Sequence, residues 1–547
     1  MTKNVVLLGD KTLSLLARDL NSQLKQAESN WNVVDAGYDN WLVAPLVHDG
    51  ILFDKNTAAW AFVLSPRILE NVPDIAAHLD ATLERLAGLA APPTVLFSNF
   101  FRDPRGVLPI SNNLEKHSLA AKLNERLEAF RDAHSWFHVI DHLSLALTHG
   151  VGALSDLRFE AVGQVFFSPA GNRLLSGLWL RSLRALERAQ KKVCVLDLDN
   201  TLWRGILGED GADALQMADS GNGWAYRRFQ RSLLELRRSG ILLTICSKNN
   251  PQEAMEVLES HPDCLMRPAD FAHIEIGWGL KSEAIARTAD KLSLGLDSFV
   301  FIDDSAVERG EVANALPMVD VLDFPGDPTE LVGMLAAYPG FDTLRQTDED
   351  RKRADSYQQE AQRGAIKEKS KSPEEFYRSL ELQLGIFSAR VEQAGRLHQL
   401  LMKTNQFNMT TRRLSEEAFR ELLASDGHMV VGLRVTDRFG DSGITGLAIV
   451  QRQPNAWIVQ DFLLSCRVLG RTVENAFLSW LIARAAKAGV DSVAIEFEAT
   501  KRNQVAHGFL KESGGVESDT GGVWTFDVRR PDVVPAHYVR IDESSVS

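Results

Sequence analysis

The segment Val193-Cys194-Val195-Leu196-Asp197-Leu198-Asp199-Asn200-Thr201 runs four apolar residues straight into Asp-x-Asp-x-Thr. A short apolar run of this kind reads as a buried strand. In extended backbone alternate side chains share a side, so Asp197 and Asp199 point together and the hydroxyl of Thr201 reaches the same pocket. Two carboxylates there can hold Mg²⁺. With its charge so offset, Asp197 can attack a phosphoryl group, while Asp199 protonates the leaving oxygen and then activates water. Three further pieces follow in chain order. The strand-like run 242 to 246 ends in Ser247-Lys248-Asn249, which offers a hydroxyl, an amine and an amide to phosphoryl oxygens. Lys281 opens a helical stretch and can neutralise a phosphoaspartate. The run 299 to 302 ends in Asp303-Asp304, completing a metal set of Asp197, Asp199, Asp303 and Asp304. Any one of these motifs arises by chance; four in order do not.

The elements around these motifs alternate. Val193–Leu196, Leu242–Cys246 and Phe299–Ile302 read as strands, with Trp224–Arg238 and Lys281–Leu292 as helices, so each strand ends on polar residues at one edge of a parallel sheet. Residues 1 to about 150 repeat the alternation, with strands at Val5–Leu8, Val33–Val34, Ala61–Leu64, Thr94–Phe97 and Phe137–Ile140. The helices between them are Leu13–Leu24, Ile75–Leu86 and Leu114–Phe130. A helical connector, Gly171 to Ala189, joins the two blocks. From about 376 the strand signals lie close together (Leu382–Phe387, Met429–Val435, Ile444–Val450, Trp457–Leu464) and give way to helix Thr472–Ala486, strand Ser492–Phe497, helix Gln504–Lys511 and a strand near Trp524–Val528. Several adjacent strands followed by helices are an α+β pattern. The chain thus divides into an α/β domain at 1–170, a phosphoryl-transfer domain at 188–340, a charged helical linker at 341–375 and an α+β domain at 376–540.

Bulk properties narrow the function. At 547 residues the chain exceeds a single core. Acidic residues outnumber basic ones, 73 to 60, and a net charge of −13 argues against a general nucleic-acid binder, whose phosphate contacts need a positive surface. No apolar stretch approaches the roughly 18 residues of a membrane span, and the run Val5–Leu8 is too short for a secretory signal. Four cysteines without a CxxC pair indicate neither a disulfide framework nor a zinc site, which fits a reducing cytoplasm. Only about fifty residues separate Asp197 from Ser247, and about thirty-four separate Ser247 from Lys281, so neither interval holds a large cap. An open site suits a substrate presented by a macromolecule.

The set of motifs resembles the haloacid dehalogenase superfamily. Its wider text, Thr201-Leu202-Trp203, Gly208-Glu209-Asp210-Gly211, Cys246-Ser247-Lys248-Asn249 and Phe301-Ile302-Asp303-Asp304, resembles the FkbH-like branch. The resemblance extends to Lys403-Thr404-Asn405-Gln406-Phe407-Asn408, Asp437-Arg438-Phe439-Gly440-Asp441 and Leu464-Ser465-Cys466-Arg467-Val468-Leu469-Gly470-Arg471, in a domain similar to GCN5-type N-acetyltransferases (GNAT). That fold holds a pantetheine-bearing ligand on a loop at a helix N-terminus. Here the loop corresponds to Arg467, Gly470 and Arg471; Thr472 departs from the pattern, which favours a carrier-protein phosphopantetheine over coenzyme A. Asn503 is placed to bond a pantetheine amide, and Asn405, Asp437 and Asp441 to shape the acyl site. Cys466, beside Arg467 and Arg471, has the electropositive setting of a nucleophilic thiol, whereas Cys246, next to Ser247 on a strand, faces the packed side.

What the resemblance implies is a bifunctional enzyme. It would capture the acyl group of 1,3-bisphosphoglycerate as a thioester, remove the remaining phosphate and load glyceryl onto an acyl carrier protein for polyketide or related biosynthesis. Trp203-Arg204-Gly205 and Asp303-Asp304-Ser305-Ala306 depart from the usual family text beside the phosphoryl site, which keeps another phosphorylated hydroxy- or amino-acyl group open as substrate; a non-catalytic carrier-docking protein is the remaining alternative. The fragment Leu7-Leu8-Gly9-Asp10 resembles the opening of an SGNH-hydrolase-like fold, but Lys11 stands where a catalytic serine belongs, and Asp141-His142 does not supply the partner pair. The first domain therefore reads as non-catalytic.

Overall fold

The computed structural model describes residues 3–43, 45, 50–105, 114–292, 294–346, 357, 359, 363–364, 366–367, 370–425, 427–500, 502–519, 521–530 and 534–545; for residues 114–117, 403, 416, 466 and 544–545 it describes the backbone alone. The chain forms two compact units, Met1–Ala354 and Asp355–Ser547. The acidic-basic run 348–353 lies outside the described residues.

The first unit carries two parallel sheets of five strands each. In the first, β1 (Lys3–Leu8), β2 (Trp31–Asp35), β3 (Thr57–Phe62), β4 (Thr94–Ser98) and β5 (Phe137–Ile140) lie in the order β2-β1-β3-β4-β5. Side chains alternate across β1: Val5 and Leu7 pack into one core with α1 (Ser14–Gln26) and α2 (Pro169–Glu187), while Val6 and Leu8 pack into another on the opposite face. This accounts for the unbroken apolar runs, since a strand covered on both sides has no polar face.

The second sheet follows the same rule. Strands β6 (Val193–Leu196), β7 (Leu242–Ser247), β8 (Phe271–Ile276), β9 (Phe299–Ile302) and β10 (Asp320–Val321) lie in the order β10-β9-β6-β7-β8, all parallel. The chain leaves β6 toward β7 on one side and returns to β9 on the other. The carboxyl end of β6, where Asp197 follows, is thus the switch point at which an open parallel sheet leaves a crevice. Three helices flank that edge: α3 (Trp224–Arg238), α4 (Lys281–Leu292) and α5 (Ala306–Ala315). Residues 198–280 hold short helices, α3, β7, the helix Pro251–Ser260 and β8, with no inserted cap domain.

Connector helix α2 is a joint rather than a spacer. It packs along α1, and Arg181 makes a two-point ion pair with Asp342 (2.6 and 2.7 Å) beyond the end of the second sheet. Gln190 and Lys191 then bond the carbonyls of Phe341 and Gly340 (2.8 and 2.9 Å). Both sheets lie in the one compact unit Met1–Ala354.

In the second unit an eight-stranded, mainly antiparallel sheet has the order β16-β17-β15-β14-β13-β12-β11-β18. Its strands are β11 (Gln383–Ser388), β12 (His428–Asp437), β13 (Gly440–Arg452), β14 (Ala456–Leu464), β15 (Ser492–Glu496), β16 (Val516–Glu517), β17 (Val523–Asp527) and β18 (Arg540–Ser545). Helix α6 (Val473–Lys487) leads from β14 into β15, which pairs parallel to β14. No described helix is long and apolar enough to cross a membrane.

The start of α2 gives a test of this packing. A Cβ on Gly171 would lie 1.9 Å from the carbonyl oxygen of Leu154, so Gly171→Ala must displace backbone rather than a side chain. We expect the first unit to lose about 1–3 kcal/mol, read as a lower denaturation midpoint. An unchanged midpoint would contradict the contact.

Candidate functional site

The four sequence motifs converge at the carboxyl edge of the second sheet. Paired strands set the frame: Val195 and Leu196 stand opposite Phe301 and Ile302, and the Asp197 N–H donates to the Ile302 carbonyl (3.1 Å). Asp197 and Asp303 therefore emerge side by side. Lys281, the first residue of α4, lies between them with Nζ 2.9 Å from Asp197 Oδ1 and 2.5 Å from Asp303 Oδ2. Its side chain is only 4% exposed. Burial alone would favour a neutral amine, but the two carboxylates outweigh it and raise the Lys281 pKa, so the ammonium persists.

Carboxylate oxygens of Asp197, Asp303 and Asp304 lie within 4.8 Å of one another. Burial, then the charge of Asp197, pushes Asp303 up to about 6 and raises Asp304 as well, against the pull of Lys281. Three carboxylates facing one ammonium leave an excess of negative charge in a partly dehydrated pocket. An all-oxygen donor set with that excess fits a small, hard divalent cation. These three side chains are the ones that would hold it; such an ion, when bound, supplies charge neutralisation for an anionic phosphoryl group.

Asp199 is not a member of that set, contrary to the sequence expectation. Trp203 Nε1 (2.9 Å) and the Leu207 N–H (3.2 Å) donate to one of its oxygens, and Asn249 Nδ2 (3.0 Å) donates to the other. The backbone makes this turn because Asn200 takes a left-handed conformation, φ 53°, which asparagine tolerates. Burial, the largest influence, raises the Asp199 pKa despite the three donors. A carboxyl so poised beside Asp197 suits proton transfer.

The expected phosphate-binding residues divide. Ser247 Oγ accepts from Asn249 Nδ2 (3.2 Å), and Thr201 Oγ1 accepts from the Asp304 N–H (3.2 Å), so both hydroxyls lie in the site. Asn249 is taken up with orienting Asp199. Lys248 turns away to Glu308 on α5 (2.7 Å). Sequence reasoning missed Trp203 as the donor to Asp199, and Arg309, which bonds the carbonyls of Asp303 and Asp304 (2.9 and 2.8 Å). Trp203 sits four residues past Asp199, a spacing that signals the bond only once the turn at Asn200 is known. Cys246 is buried, donates to the Lys281 carbonyl (3.7 Å), and is pushed by burial up to about 12, which fits a packed thiol.

The expected acyl and pantetheine residues are largely engaged within the second unit. Asp437 accepts from Arg363 (2.6 and 3.0 Å) and from the N–H groups of Phe439 and Gly440 (2.9 and 3.1 Å), with Arg471 3.8 Å away. Asp441 pairs with Arg434, and Asn405 accepts from Arg413. Buried Asn503 bonds the carbonyls of Asn408 (3.0 Å) and Glu498 (2.9 Å) and accepts from the Thr500 N–H (2.8 Å); this amide ties the 498–503 turn to the segment at Asn408 instead of facing outward. The Gly470 N–H donates to Glu474 Oε1 (3.2 Å) at the start of α6. Cys466 lies in the short turn Cys466–Val468 after β14, together with Arg467; the Cys466 side chain is outside the described residues. Sequence reasoning also passed over Asp461, buried on β14, bonded by the Thr410 hydroxyl (2.5 Å) and pushed by burial up to about 6.

In the first sheet, Asp10 accepts from the Ser65 N–H (2.7 Å) and hydroxyl (2.6 Å). His142 is sealed inside, accepts from Trp179 Nε1 (3.0 Å) and is pushed by burial down to about 3; Asp141 caps the helix His142–His149. These residues form separate structural contacts and not a triad.

No known protein family and no curated protein matches the sequence. Among solved structures, the N-terminal part of the protein BF1531 from Bacteroides fragilis, containing a phosphatase domain complexed with Mg, shares the fold. Its TM-score is 0.56 and its sequence identity 24%, with 63% of this chain and 95% of that chain covered. An acetyltransferase of the GNAT family from Desulfovibrio desulfuricans aligns with 26% of this chain and 99% of its own at 12% identity and a TM-score of 0.22. The ribosomal-protein-S18-alanine N-acetyltransferase from Escherichia coli covers 27% and 94% at 13% identity and a TM-score of 0.20. The two acetyltransferases align too loosely to carry a conclusion. The first structure establishes a shared α/β fold.

The carboxylate cluster can be tested without any turnover assay. Mg²⁺ added after EDTA treatment should raise the melting temperature of the protein by several degrees, because a ligand that binds only the folded state stabilises it. Asp303→Asn should remove most of that shift. An equal shift in the variant would place the ion elsewhere.

Proposed function

We propose that this chain is a Mg²⁺-dependent phosphatase of the haloacid dehalogenase type joined to an acyltransferase of the FkbH-like kind. The observation that carries the phosphatase half is the Lys281 ammonium held between Asp197 and Asp303, with Asp304 beside them and the Asp199 carboxyl oriented by Trp203, Leu207 and Asn249. The shared fold with a protein that contains a phosphatase domain complexed with Mg supports it. Asp197 attacks phosphorus and its P–O bond forms as the ester P–O bond breaks. Asp199 gives its proton to the departing oxygen, then takes one from the water that hydrolyses the aspartyl phosphate. Lys281 offsets the charge of the phosphorylated carboxylate, and the hydroxyls of Ser247 and Thr201 hold phosphoryl oxygens.

The acyl half rests on the residues around Cys466. Its thiolate would attack the acyl phosphate of 1,3-bisphosphoglycerate, forming a thioester and releasing phosphate. After the second phosphate is hydrolysed at Asp197, the glyceryl group passes to the phosphopantetheine thiol of an acyl carrier protein. Asn503 and Asp437 bond within the second unit and hold that domain together; the acyl and pantetheine reading is kept for Arg467, Gly470, Arg471 and the turn at Cys466.

Two experiments test this. Asp197→Asn should cut phosphate release by several orders of magnitude with the fold intact, since the amide is a poor nucleophile; release within roughly tenfold of the parent would end the assignment. Intact-mass spectrometry of a carrier protein incubated with the enzyme and candidate acyl phosphates reads the transferred group directly. Cys466→Ala should abolish both the acyl-enzyme mass and carrier loading while keeping phosphatase activity on a simple ester, and Cys246→Ala should do neither. Acyl-enzyme persisting in Cys466→Ala but lost in Cys246→Ala would identify the wrong thiol. Carrier loading by both variants would mean direct transfer to the pantetheine thiol.

A further inference from the structure

Arg204 follows Trp203 at the point where the sequence departs from the usual family text, and the phosphoryl-transfer steps leave it without a task. Its place is fixed through the backbone. On one side Trp203 Nε1 donates to Asp199 (2.9 Å); on the other the Gly205 N–H donates to Asn200 Oδ1 (3.1 Å). Arg204 itself exchanges N–H and carbonyl bonds with Gln216 (3.1 and 3.0 Å). Gly205, at φ 114°, then turns the chain in a region that glycine alone enters freely. The residue is thus anchored beside the loop that carries Asp197 and Asp199.

Charge around this anchor is uneven. Arg204 is exposed, and its side chain forms no ion pair or hydrogen bond among the described residues. The neighbouring cations are spent: Lys281 on Asp197 and Asp303, Lys248 on Glu308 (2.7 Å), and Arg309 on the carbonyls of Asp303 and Asp304 (2.9 and 2.8 Å). Tyr226, in the first turn of α3, links the free guanidinium to the carboxylate cluster. Only 4% of it is exposed, and its hydroxyl makes no hydrogen bond among the described residues. Burial raises the pKa of that hydroxyl most, the Arg204 charge pulls it down and the Asp304 charge pushes it up, so the phenol feels both groups.

With no inserted cap, the groups that read the rest of a substrate have to come from the loops at this edge. A guanidinium offers five N–H donors and accepts nothing, while a phenol can donate or accept. Beside the carboxylates, such a pair suits oxygen atoms on the chain that bears the phosphate. A hydrocarbon chain would leave these donors unmatched.

We propose that Arg204 and Tyr226 are specificity-determining residues of the phosphoryl site, and that its substrate is a phosphate ester on a short chain with a carbonyl or hydroxyl oxygen near the ester. A phosphoglyceryl thioester, the species that the steps above present to Asp197, belongs to that class; an alkyl phosphate does not. The inference rests on the reading of Asp197 as the nucleophile of a phosphatase.

The test compares the full chain with its Arg204→Ala and Tyr226→Phe variants on two phosphates of similar length. The methyl ester of 3-phosphoglycerate keeps the hydroxyl and an uncharged carbonyl, and propyl phosphate has neither. The parent should favour the first about tenfold or more in kcat/KM. Arg204→Ala should raise KM for it about tenfold with kcat within about twofold, and Tyr226→Phe about threefold, while kcat/KM for propyl phosphate stays within about twofold in both. A parent that treats the two substrates alike, equal losses on both, or no loss in Arg204→Ala would each overturn the proposal. Calorimetric titration of the Asp197→Asn protein in Mg²⁺ buffer supplies a readout that needs no turnover. Adding Arg204→Ala should weaken binding of the methyl ester about tenfold, and unchanged affinity would overturn the proposal. Absence of phosphate release from both substrates by the parent enzyme would instead sink the phosphatase reading, and the titration would still judge the subsite.

Discussion

The phosphoryl site depends on one ammonium held among carboxylates. Lys281 contacts Asp197 and Asp303 from the first position of a helix, and its buried ammonium offsets the negative charge that the two acids bring to one point. Each of the three residues comes from a different part of the chain, separated by the helices that cover the sheet. The parallel order β9-β6-β7 brings their strand and helix ends to one edge, so the topology is what makes the electrostatics possible. Burial of the strands fixes the register, and register fixes the distance between the acids.

Much of this was legible in the sequence because the relevant signals are local. Apolar runs covered on both faces gave β1, β6, β7 and β9 close to their observed limits, and Trp224–Arg238 and Lys281–Leu292 end where their periodicity ends. What could not be read was orientation after a strand stops. The two-residue alternation that placed Asp199 beside Asp197 assumes extended backbone, but the strand ends at Leu196 and the chain bends at Leu198, before Asp199 is reached. Asp199 is thereby aimed at Trp203 and Asn249 instead of the metal set. Strand β8 escaped notice because its second half is only partly buried and polar residues interrupt it.

The second unit was legible as a fold and less so as a site. Its strands and α6 follow the expected order, yet the polar residues singled out there, Asn503, Asp437 and Asn405, bond mostly to their own chain. Sequence lists which groups can hydrogen-bond and says little about which are already spent. A buried amide that joins two segments and an amide that greets a ligand look identical until the partners are known.

Asp437 bears on where this protein can be cut. Its carboxylate is almost fully buried and is matched chiefly by Arg363, a residue in the run 341–375 that reads as a charged helical linker. A fragment begun at residue 376, where the strand signals start, would carry the acid inward without its two-point partner, leaving only the more distant Arg471. Removing one partner of a buried pair costs about 3–5 kcal/mol, a large share of the stability of a domain of this size. The amino-terminal limit of the second unit is therefore electrostatic rather than topological, and it lies upstream of the first strand by at least the reach of that arginine.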